Sequence, residues 1–419
     1  MKENRNLEFK ADLTNTFLKT VSAFSNYDGG TILFGVDNSG DVIGLDDINQ
    51  KCLDIENRIN DSIVPQPDYT LSVIESGKVI ALKVNPGSNT PYLYRSKAYK
   101  RNDTATIEAD HFELRRLILK GENKEYEELS SSDQDLRFEY LEKELIEKTG
   151  IKSLNKDVLK TLNLYSDQSG YNNAAAILSD SNHFPGIDIA RFGETINIFI
   201  KRKTFENQSI LKSYYDSLEI YRDYYQYEQI DGTYRKTIET IPEEAFREAV
   251  ANAIVHRTWD VKAHIRISMY DDRIEIVSAG GLPDGISEKD YLEGRMSILR
   301  NPILANVFHR LELIEKYGTG IRRILRSYET SQNKPVFKIS DNYIQVSLPL
   351  IRKQLNLSAD ETKVYDLLSK NINKSMSDIL CSPSFEYGKS KTTELLKKME
   401  EKGVVVKEGN GRGTKYRLR

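Results

Sequence analysis

Three polar side chains recur at every fourth position of an apolar stretch between residues 247 and 257. Glu248, Asn252 and His256 would share one face of a helix, because positions four apart are neighbours on a helix surface. The residues between them are Ala, Val and Ile, which suits a helix with a buried back. Asn252 offers a neutral oxygen to a hard cation, and Glu248 can polarise a water molecule. The alternative is a half-exposed helix with three unrelated polar residues.

The downstream residues predict the elements that would position this helix. Segments 265–270 and 273–277 alternate apolar and polar residues, which predicts a hairpin. The second strand runs into Gly280-Gly281, and a later Gly318-Thr319-Gly320 turn opens a helix. Backbone amides at such a turn, together with the helix dipole, favour phosphate.

This order of motifs resembles the ATP domains of the GHKL ATPases, which include gyrase, MutL and the histidine kinases. It is most similar to a divergent GHKL-like branch in bacterial proteins described as RecG-like or as transcriptional regulators. The branch pattern R-E-A-x-x-N-A-x-x-H-R, D-R-I-E-I-x-S-x-G-G-L-P, R-N-P-x-L-A and G-x-G-I occurs here within residues 235–352. The resemblance implies an α/β sandwich that binds ATP and Mg²⁺. It assigns the water-activating base to Glu248, the magnesium ligand to Asn252 and the remaining nucleotide contacts to His256, Gly280, Gly281, Gly318 and Gly320.

One position departs from the GHKL pattern. These enzymes usually place an Asp before the first glycine pair, where it accepts a hydrogen bond from the adenine amino group. Ser278 and Ala279 stand there in this chain, and Asp271 and Asp272 lie too early. Two alternatives stay open: a nucleotide-binding domain, or a GHKL fold retained as a scaffold without nucleotide.

The N-terminal residues carry a second signature. Residues 13–24 have apolar side chains three or four positions apart, which predicts a helix that Gly29-Gly30 ends. Residues 31–36 predict a strand in a hairpin with residues 42–45. Segments 69–75 and 79–84 predict a second hairpin around Ser76-Gly77. Segment 92–101 then interleaves basic and aromatic residues.

These motifs resemble the Schlafen-type, AlbA-like domain, a nucleic-acid-binding module. Its E-x4-E-F-K start, S-A-F-x-N-x-x-G-G, G-V-D and Y-x-R patterns occur within residues 1–120. In nuclease members an acidic trio binds the metal that drives RNA cleavage, and the matching positions are Glu3, Glu8 and Asp37. Converging carboxylates suit Mg²⁺ or Mn²⁺. Asn38 stands where a second carboxylate is often found. Because bacterial relatives are generally described as binders, we interpret the domain as a binder, with the nuclease as the alternative.

The interleaved segment supplies the residues that would contact nucleic acid in this domain. Basic side chains bind a phosphate backbone and aromatic rings stack on bases. The alternative is an ordinary strand edge protected by Lys and Arg. The residues in question are Lys97, Tyr99, Lys100 and Arg101.

The C-terminal residues predict helices at 358–370, 376–380 and 392–402 and strands at 404–407 and 415–418. Three helices followed by a hairpin predict a winged helix. Residues 387–419 contain ten basic and four acidic residues, a net charge of about +6, whereas the whole chain carries −3. In a DNA-binding winged helix the third helix enters the major groove and the wing contacts phosphates. We therefore expect DNA contacts from Lys389, Ser390, Lys391, Thr392, Arg412 and Lys415. The alternative is a protein-binding winged helix with a solvated basic face.

The amino-acid composition limits the class of protein and the number of domains that this chain can have. The chain has 419 residues, 39% of them hydrophobic and 29% charged, which is typical of a soluble protein with two to four domains. The sequence contains no apolar run long enough to span a membrane and no apolar core of a signal peptide. Cys52 and Cys381 lie far apart, so neither a disulfide framework nor a zinc cluster is indicated. We expect a cytoplasmic protein without membrane contacts.

The sequence therefore predicts an α+β multidomain chain. Its parts are an AlbA-like domain (1–120), a bridging mixed α/β region (121–234), a GHKL-like α/β sandwich (235–352) and a winged helix (356–419). The favoured function is a DNA-binding transcriptional regulator with a nucleotide-responsive domain, with RNA as a further partner and homo-oligomers expected. The alternative is an enzyme: a metal-dependent nuclease or a nucleic-acid-acting ATPase, in defence against phage.

Overall fold

The computed structural model describes residues 2–74, 78–231, 234–283, 285–294, 298–315, 318–351, 357–369, 372–382, 385–409 and 411–418. Within these residues the buried apolar side chains divide into an N-terminal, a central and a C-terminal set. We call the corresponding parts the N-terminal unit (2–121), the central unit (122–351) and the C-terminal unit (357–418). The predicted turn at Ser76-Gly77 lies outside the described residues.

The N-terminal unit is built on a sheet of order β1-β2-β5-β4, in which only the β1–β2 pair is parallel. Phe17, Val21 and Phe24 recur along one face of α1 and are buried with the apolar residues of β2 and β5. Its elements are β1 (Leu7–Lys10), α1 (Phe17–Asn26), β2 (Gly30–Phe34), α2 (Ile48–Ser62), β3 (Ile63–Val64), β4 (Tyr69–Ile74), β5 (Val79–Val84), β6 (Leu93–Tyr94), β7 (Tyr99–Asn102), β8 (Ala105–Glu108) and α3 (His111–Gly121).

Two hairpins were predicted in this unit, and one is present. Strands β4 and β5 pair as expected. The predicted pairing of residues 31–36 with 42–45 is wrong, because β2 pairs with β1 and β5 and only a single bridge joins Val36 to Val42. Both edges of β2 are already occupied, so no further strand can add to it.

The central unit contains a mixed sheet of order β12-β11-β15-β16-β18-β17. Helices α7 and α8 pack on this sheet, and α10 and α11 pack against α8. Alternation along β15 and β16 buries one face of the sheet. The elements are α4 (Glu139–Thr149), α5 (Lys156–Thr161), β9 (Tyr165–Ser166), β10 (Gly170–Tyr171), α6 (Asn173–Leu178), β11 (Ile187–Phe192), β12 (Phe199–Phe205), α7 (Ile210–Tyr225), β13 (Gln226–Asp231), β14 (Tyr234–Glu239), α8 (Glu243–Val255), β15 (Ile265–Met269), β16 (Arg273–Ala279), α9 (Glu288–Glu293), α10 (Pro302–Arg310), α11 (Gly320–Ser327), β17 (Val336–Ile339) and β18 (Tyr343–Pro349).

The sheet crosses the boundary predicted at residues 234/235. Strands β11 and β12 and helix α7 come before that point, yet β11 pairs with β15 in parallel. One hydrophobic core extends from Phe138 to Leu348. The structure therefore joins part of the predicted bridging region to the GHKL-like segment.

Arg116 links the N-terminal unit to the central unit, and Glu127 links two distant segments within the central unit. Arg116 of α3 donates from Nε and a terminal nitrogen to the carboxylate of Asp260, at 2.9 and 3.1 Å. Glu127, in a 3₁₀ turn at Tyr126–Glu128, accepts hydrogen bonds from the backbone N–H groups of Ile303 and Leu304. The Glu127 side chain is fully buried. Burial raises its pKa to about 8, although the two N–H donors act in the opposite direction.

In its described residues, the C-terminal unit has three helices and a sheet of order β19-β21-β20. Val364 of the first helix packs with Leu395, Leu396 and Met399 of the third. Ser358 with Glu361, and Ser375 with Asp378, form capping boxes that start the first two helices. The elements are α12 (Ala359–Tyr365), β19 (Lys374–Ser375), α13 (Met376–Leu380), α14 (Lys389–Glu401), β20 (Val405–Glu408) and β21 (Lys415–Leu418).

Across the described ranges, no helix combines the length and the apolar character that a membrane span requires.

Candidate functional site

The predicted polar ridge lies on α8. Glu248 and Asn252 belong to the helix, and the backbone N–H of His256 donates to the carbonyl of Asn252 at 3.0 Å to end it. Alanines, Val250 and Ile254 bury the back of the helix against the sheet. Glu248 is itself only 6% exposed. The sequence spacing therefore correctly predicted that these three residues lie along one helix and its C-terminal end. The burial of Glu248 results from tertiary packing, which the spacing does not show.

The turn that opens α11 lies directly against this ridge. A β-carbon at position 320 would lie 2.2 Å from Oε1 of Glu248 and 2.8 Å from Nδ2 of Asn252, so any other residue there must displace these side chains. One terminal nitrogen of Arg323 lies 4.0 Å from Oε2 of Glu248 and the other lies 3.0 Å from Glu315. Sequence reasoning missed Arg323, although it follows Gly320 by three positions on the same helix.

Burial dominates the electrostatics of the ridge. It raises the pKa of Glu248, and the positive charge of Arg323 opposes that rise. Burial, followed by the nearby charge of Arg300, lowers the pKa of His256 to about 4. The imidazole is therefore neutral at pH 7 and the ridge carries no positive charge of its own.

A cavity of about 40 Å³ lies beside the ridge. Asn252 and His256 line it together with Gly318 and Gly320. Gly280 and Gly281 do not line this cavity. A β-carbon on Gly280 would collide with Thr258 and Arg300, and one on Gly281 would collide with the backbone of residues 340–341. These two glycines shape the end of β16, so the predicted phosphate pocket contains only two of its four glycines.

The residues around this cavity do not fit ATP and Mg²⁺ in this structure. The cavity is far below the roughly 300–1,000 Å³ of typical small-molecule sites. Ser278 is buried in the sheet at the position where an adenine-binding Asp would stand. Glu248 and Asn252 lie so close to Gly320 that even a β-carbon at that position would collide with both side chains. We therefore derive no catalytic step through a nucleotide.

The acidic trio predicted to bind a metal is not assembled. Glu8 is buried and pairs with Arg101, while Thr20 and Lys10 also contact it at 2.8 and 2.6 Å. Glu3 accepts a hydrogen bond from the Phe9 backbone N–H at 2.7 Å. Asp37 accepts from two backbone N–H groups of its own turn, each at 2.9 Å. Among the described residues, no group of three or more His, Cys, Asp or Glu could hold a metal ion.

The predicted nucleic-acid residues of the N-terminal unit are largely engaged within the protein. Tyr99 is 7% exposed and packs in the core, so its ring cannot stack on a base. Arg101 is 9% exposed and forms the ion pair with Glu8. Lys97 pairs with Glu108 at 2.7 Å, and Lys100 pairs with Glu113. The predicted use of Tyr99 and Arg101 as surface contacts is therefore wrong, because β7 packs against α1.

The predicted DNA contacts of the C-terminal unit are mostly exposed. Lys389, Ser390 and Lys391 occupy the first turn of α14, and Lys415 lies on the hairpin of β20 and β21. Thr392 is fully buried and donates to the Gly388 carbonyl at 3.0 Å, so it cannot contact a base. The side chain of Arg412 lies outside the described residues.

Two family models match parts of the chain. Residues 3–110 match the model described as "Schlafen, AlbA_2", and residues 262–348 match "Putative ATP-dependent DNA helicase recG C-terminal". The chain therefore contains a Schlafen AlbA_2 domain and a RecG-like C-terminal domain, as the two sequence resemblances implied.

Similar solved structures come from two bacteria. The crystal structure of the DIP2311 protein from Corynebacterium diphtheriae is 18% identical, covers 99% of this chain and 92% of that chain, and gives a TM-score of 0.49. The solution structure of the N-terminal domain of a RecG-related helicase-like protein from Nitrosomonas europaea is 21% identical. It covers 25% of this chain and 78% of that one, with a TM-score of 0.19. No curated protein matches the chain.

Proposed function

We propose that this protein is a DNA-binding regulator and that its C-terminal unit acts as a winged helix. The observation that carries the proposal is the position of its exposed lysines. They lie at the start of the third helix and on the following hairpin, the two parts of a winged helix that meet the major groove and the phosphates. The order of three helices and a hairpin supports the same assignment.

The local ion pairs leave these lysines able to exchange partners. Lys391 pairs with Asp360 at 2.7 Å, but both side chains are more than a third exposed. Exposed pairs of this kind are worth little, so a DNA phosphate can replace the carboxylate. Lys402, in contrast, pairs with the buried Glu361 and holds α14 to α12. The contact surface and the internal framework of the unit therefore use different lysines.

The two matched families support a nucleic-acid partner. The RecG model is described as part of a DNA helicase, and we extend its partner, DNA, to this chain as part of the proposal. The nuclease and ATPase alternatives receive less support, because the carboxylate trio is not assembled and the cavity beside α8 does not fit ATP.

The test is the salt dependence of duplex binding by the full-length protein. Each phosphate contact contributes about 0.9 to the slope of log K against log salt concentration. Lys389→Ala and Lys415→Ala should each lower the affinity and reduce this slope by about that amount. Lys363→Ala, on the first helix and paired with Glu386, removes the same charge and should leave the slope unchanged. Equal slopes for all four proteins would show that the basic surface does not bind DNA.

A further inference from the structure

The hairpin of β13 and β14 lies outside the hydrophobic core of the central unit. None of its described side chains is fully buried, although several of them are large and apolar. Ile230 and Tyr234 are 73% and 79% exposed, and Tyr227 is more than half exposed. A two-stranded hairpin is at best marginally stable in water unless a third strand or another element packs against it. This hairpin therefore lacks a packing partner within its own chain.

A second apolar surface lies at the β12 edge of the six-stranded sheet. Strand β12 pairs only with β11, so among the described residues its other edge is unpaired. Large apolar side chains are exposed along this strand and the turn before it, at Ile196, Ile198, Phe199 and Ile200. Exposed apolar side chains beside an unpaired strand edge are typical of a surface to which a strand of another chain can add.

The hairpin begins close to this edge. Helix α7 leads directly into β13, and its last turn contacts β12. The Nζ atom of Lys201 lies 5.8 Å from the ring centre of Tyr224 and 3.7 Å from the carboxylate of Asp223. The hairpin nevertheless does not pair with β12 of its own chain. If the hairpin of one copy reaches β12 of a second copy, the same two-fold axis brings the second hairpin to the first β12.

The charges of these strands favour contact between β12 and β13 and disfavour contact between two copies of β12. Strand β12 has no acidic residue and carries Lys201, Arg202 and Lys203, whereas β13 has acidic residues and no basic one. Opposite charges on neighbouring strands are stabilising, and like charges directly opposite each other are destabilising. The acidic strand of a second copy is therefore the better partner for the basic edge.

The exposed apolar area is large enough for a stable dimer. The hairpin and the β12 edge together expose seven large apolar side chains, namely Ile196, Ile198, Phe199, Ile200, Tyr227, Ile230 and Tyr234. Each of them has on the order of 100 Å² in contact with water. Two copies would then bury roughly 1,400 Å² from these side chains, which lies within the about 1,200–2,000 Å² of a specific interface.

We propose that two copies of this chain form a dimer in which β13 of each copy adds to the β12 edge of the other. Each six-stranded sheet then gains the two strands of the partner's hairpin, and the hairpin gains the third strand that it lacks. The sequence led us to expect homo-oligomers but indicated no surface for them. This interface goes beyond the proposed function, because it lies in the central unit and does not involve the lysines of α14.

The test is the molar mass of the full-length protein, measured by sedimentation equilibrium at about 20 μM, because interfaces of this size have dissociation constants from micromolar to picomolar. The wild type should have twice the chain mass of 48.0 kDa. Tyr227→Lys and Ile200→Lys each place a charge in the apolar contact and should be monomeric. Val336→Lys is the matched control, because Val336 is 52% exposed on β17, the opposite edge strand of the same sheet, and this variant should remain dimeric. All three positions are more than half exposed, so the variants should keep the circular dichroism spectrum of the wild type.

A charge exchange tests whether these two strands contact each other. Glu228→Lys on β13 and Lys203→Glu on β12 should each weaken the homodimer about tenfold, since each alters both strand contacts. An equimolar mixture of the two variants should recover dimers, because opposite charges then meet at both contacts.

Three results would overturn the proposal: a monomeric wild type, a dimer that persists in both Tyr227→Lys and Ile200→Lys or is lost equally in Val336→Lys, and a mixture no more dimeric than its components. Lys389→Ala should remain dimeric while its affinity for duplex DNA falls, so the dimer and the DNA-binding surface can fail separately.

Discussion

Glu127 provides a sharp test of how burial and hydrogen bonding compete in this fold. Its carboxylate is fully buried at the start of α10, where the N–H groups of Ile303 and Leu304 point at it. Burial raises its pKa from 4.5 to about 8. The folded protein therefore binds this proton more tightly than the unfolded chain does. The contribution to stability is complete below about pH 4.5 and is lost as the pH rises towards 8.

The size of this loss follows from the pKa difference. One pKa unit corresponds to about 1.4 kcal/mol, so the difference sets an upper limit of about 5 kcal/mol between pH 4.5 and pH 8. Glu127→Gln keeps the size of the side chain and cannot ionise. Its Nε2 cannot accept a hydrogen bond, so one of the two N–H donors loses its acceptor at every pH. We therefore expect the stability of the variant relative to the wild type to increase by up to about 5 kcal/mol as the pH rises from 5 to 8.

The measurement is the free energy of unfolding in urea, for both proteins, at several pH values between 5 and 8.5. Glu128→Gln is the control, because Glu128 is adjacent and exposed and should show no growing difference from the wild type. A difference in stability between the two proteins that stays constant from pH 5 to 8.5 would refute the reasoning. It would mean that the two N–H donors hold an ionised carboxylate and outweigh the cost of burial.

Three further outcomes follow from packing and charge. Gly320→Ala would place a β-carbon 2.2 Å from a Glu248 oxygen and should lower the free energy of unfolding, measured in urea, by about 1–3 kcal/mol. Gly388→Ala is the control, because the space around Gly388 is open, and it should lower the free energy of unfolding by less. Glu8→Gln leaves the buried guanidinium of Arg101 without its charged partner and should lower the free energy of unfolding by about 3–5 kcal/mol. Glu108→Gln breaks the exposed pair with Lys97 and should change the free energy of unfolding by no more than about 0.5 kcal/mol. Saturating ATP and Mg²⁺ should leave the melting temperature unchanged in a thermal scan, and an increase of several degrees would show that the cavity beside α8 opens to admit nucleotide.

The features that the sequence predicted well are those that depend on neighbouring residues. The spacing of Glu248, Asn252 and His256 identified one helix, and alternation identified the β15–β16 hairpin. Capping residues and apolar spacing likewise located the helices of the C-terminal unit. In each case the signal lies within about fifteen residues, the range over which helix and strand periodicity acts.

The features that were missed depend on contacts between distant segments. Tyr99 and Arg101 look like a surface array in sequence, but β7 packs on α1 and buries both side chains. The parallel pairing of β11 with β15 could not be inferred, because β12, α7, the β13–β14 hairpin and α8 separate these strands along the chain. The contact of Arg323 with Glu248 was missed for the same reason, because tertiary folding and not a local sequence pattern brings the two side chains together.

The pairing of Glu8 with Arg101 also constrains the order of events during synthesis. The two residues are 93 positions apart, and β7 contributes to the wall that covers α1. A nascent chain cannot complete this core until Arg101 has left the ribosome. From then on the unit can fold while the central sheet is still being translated. Until Arg101 emerges, water must solvate the Glu8 carboxylate, and the hydrophobic residues around it remain open to chaperones.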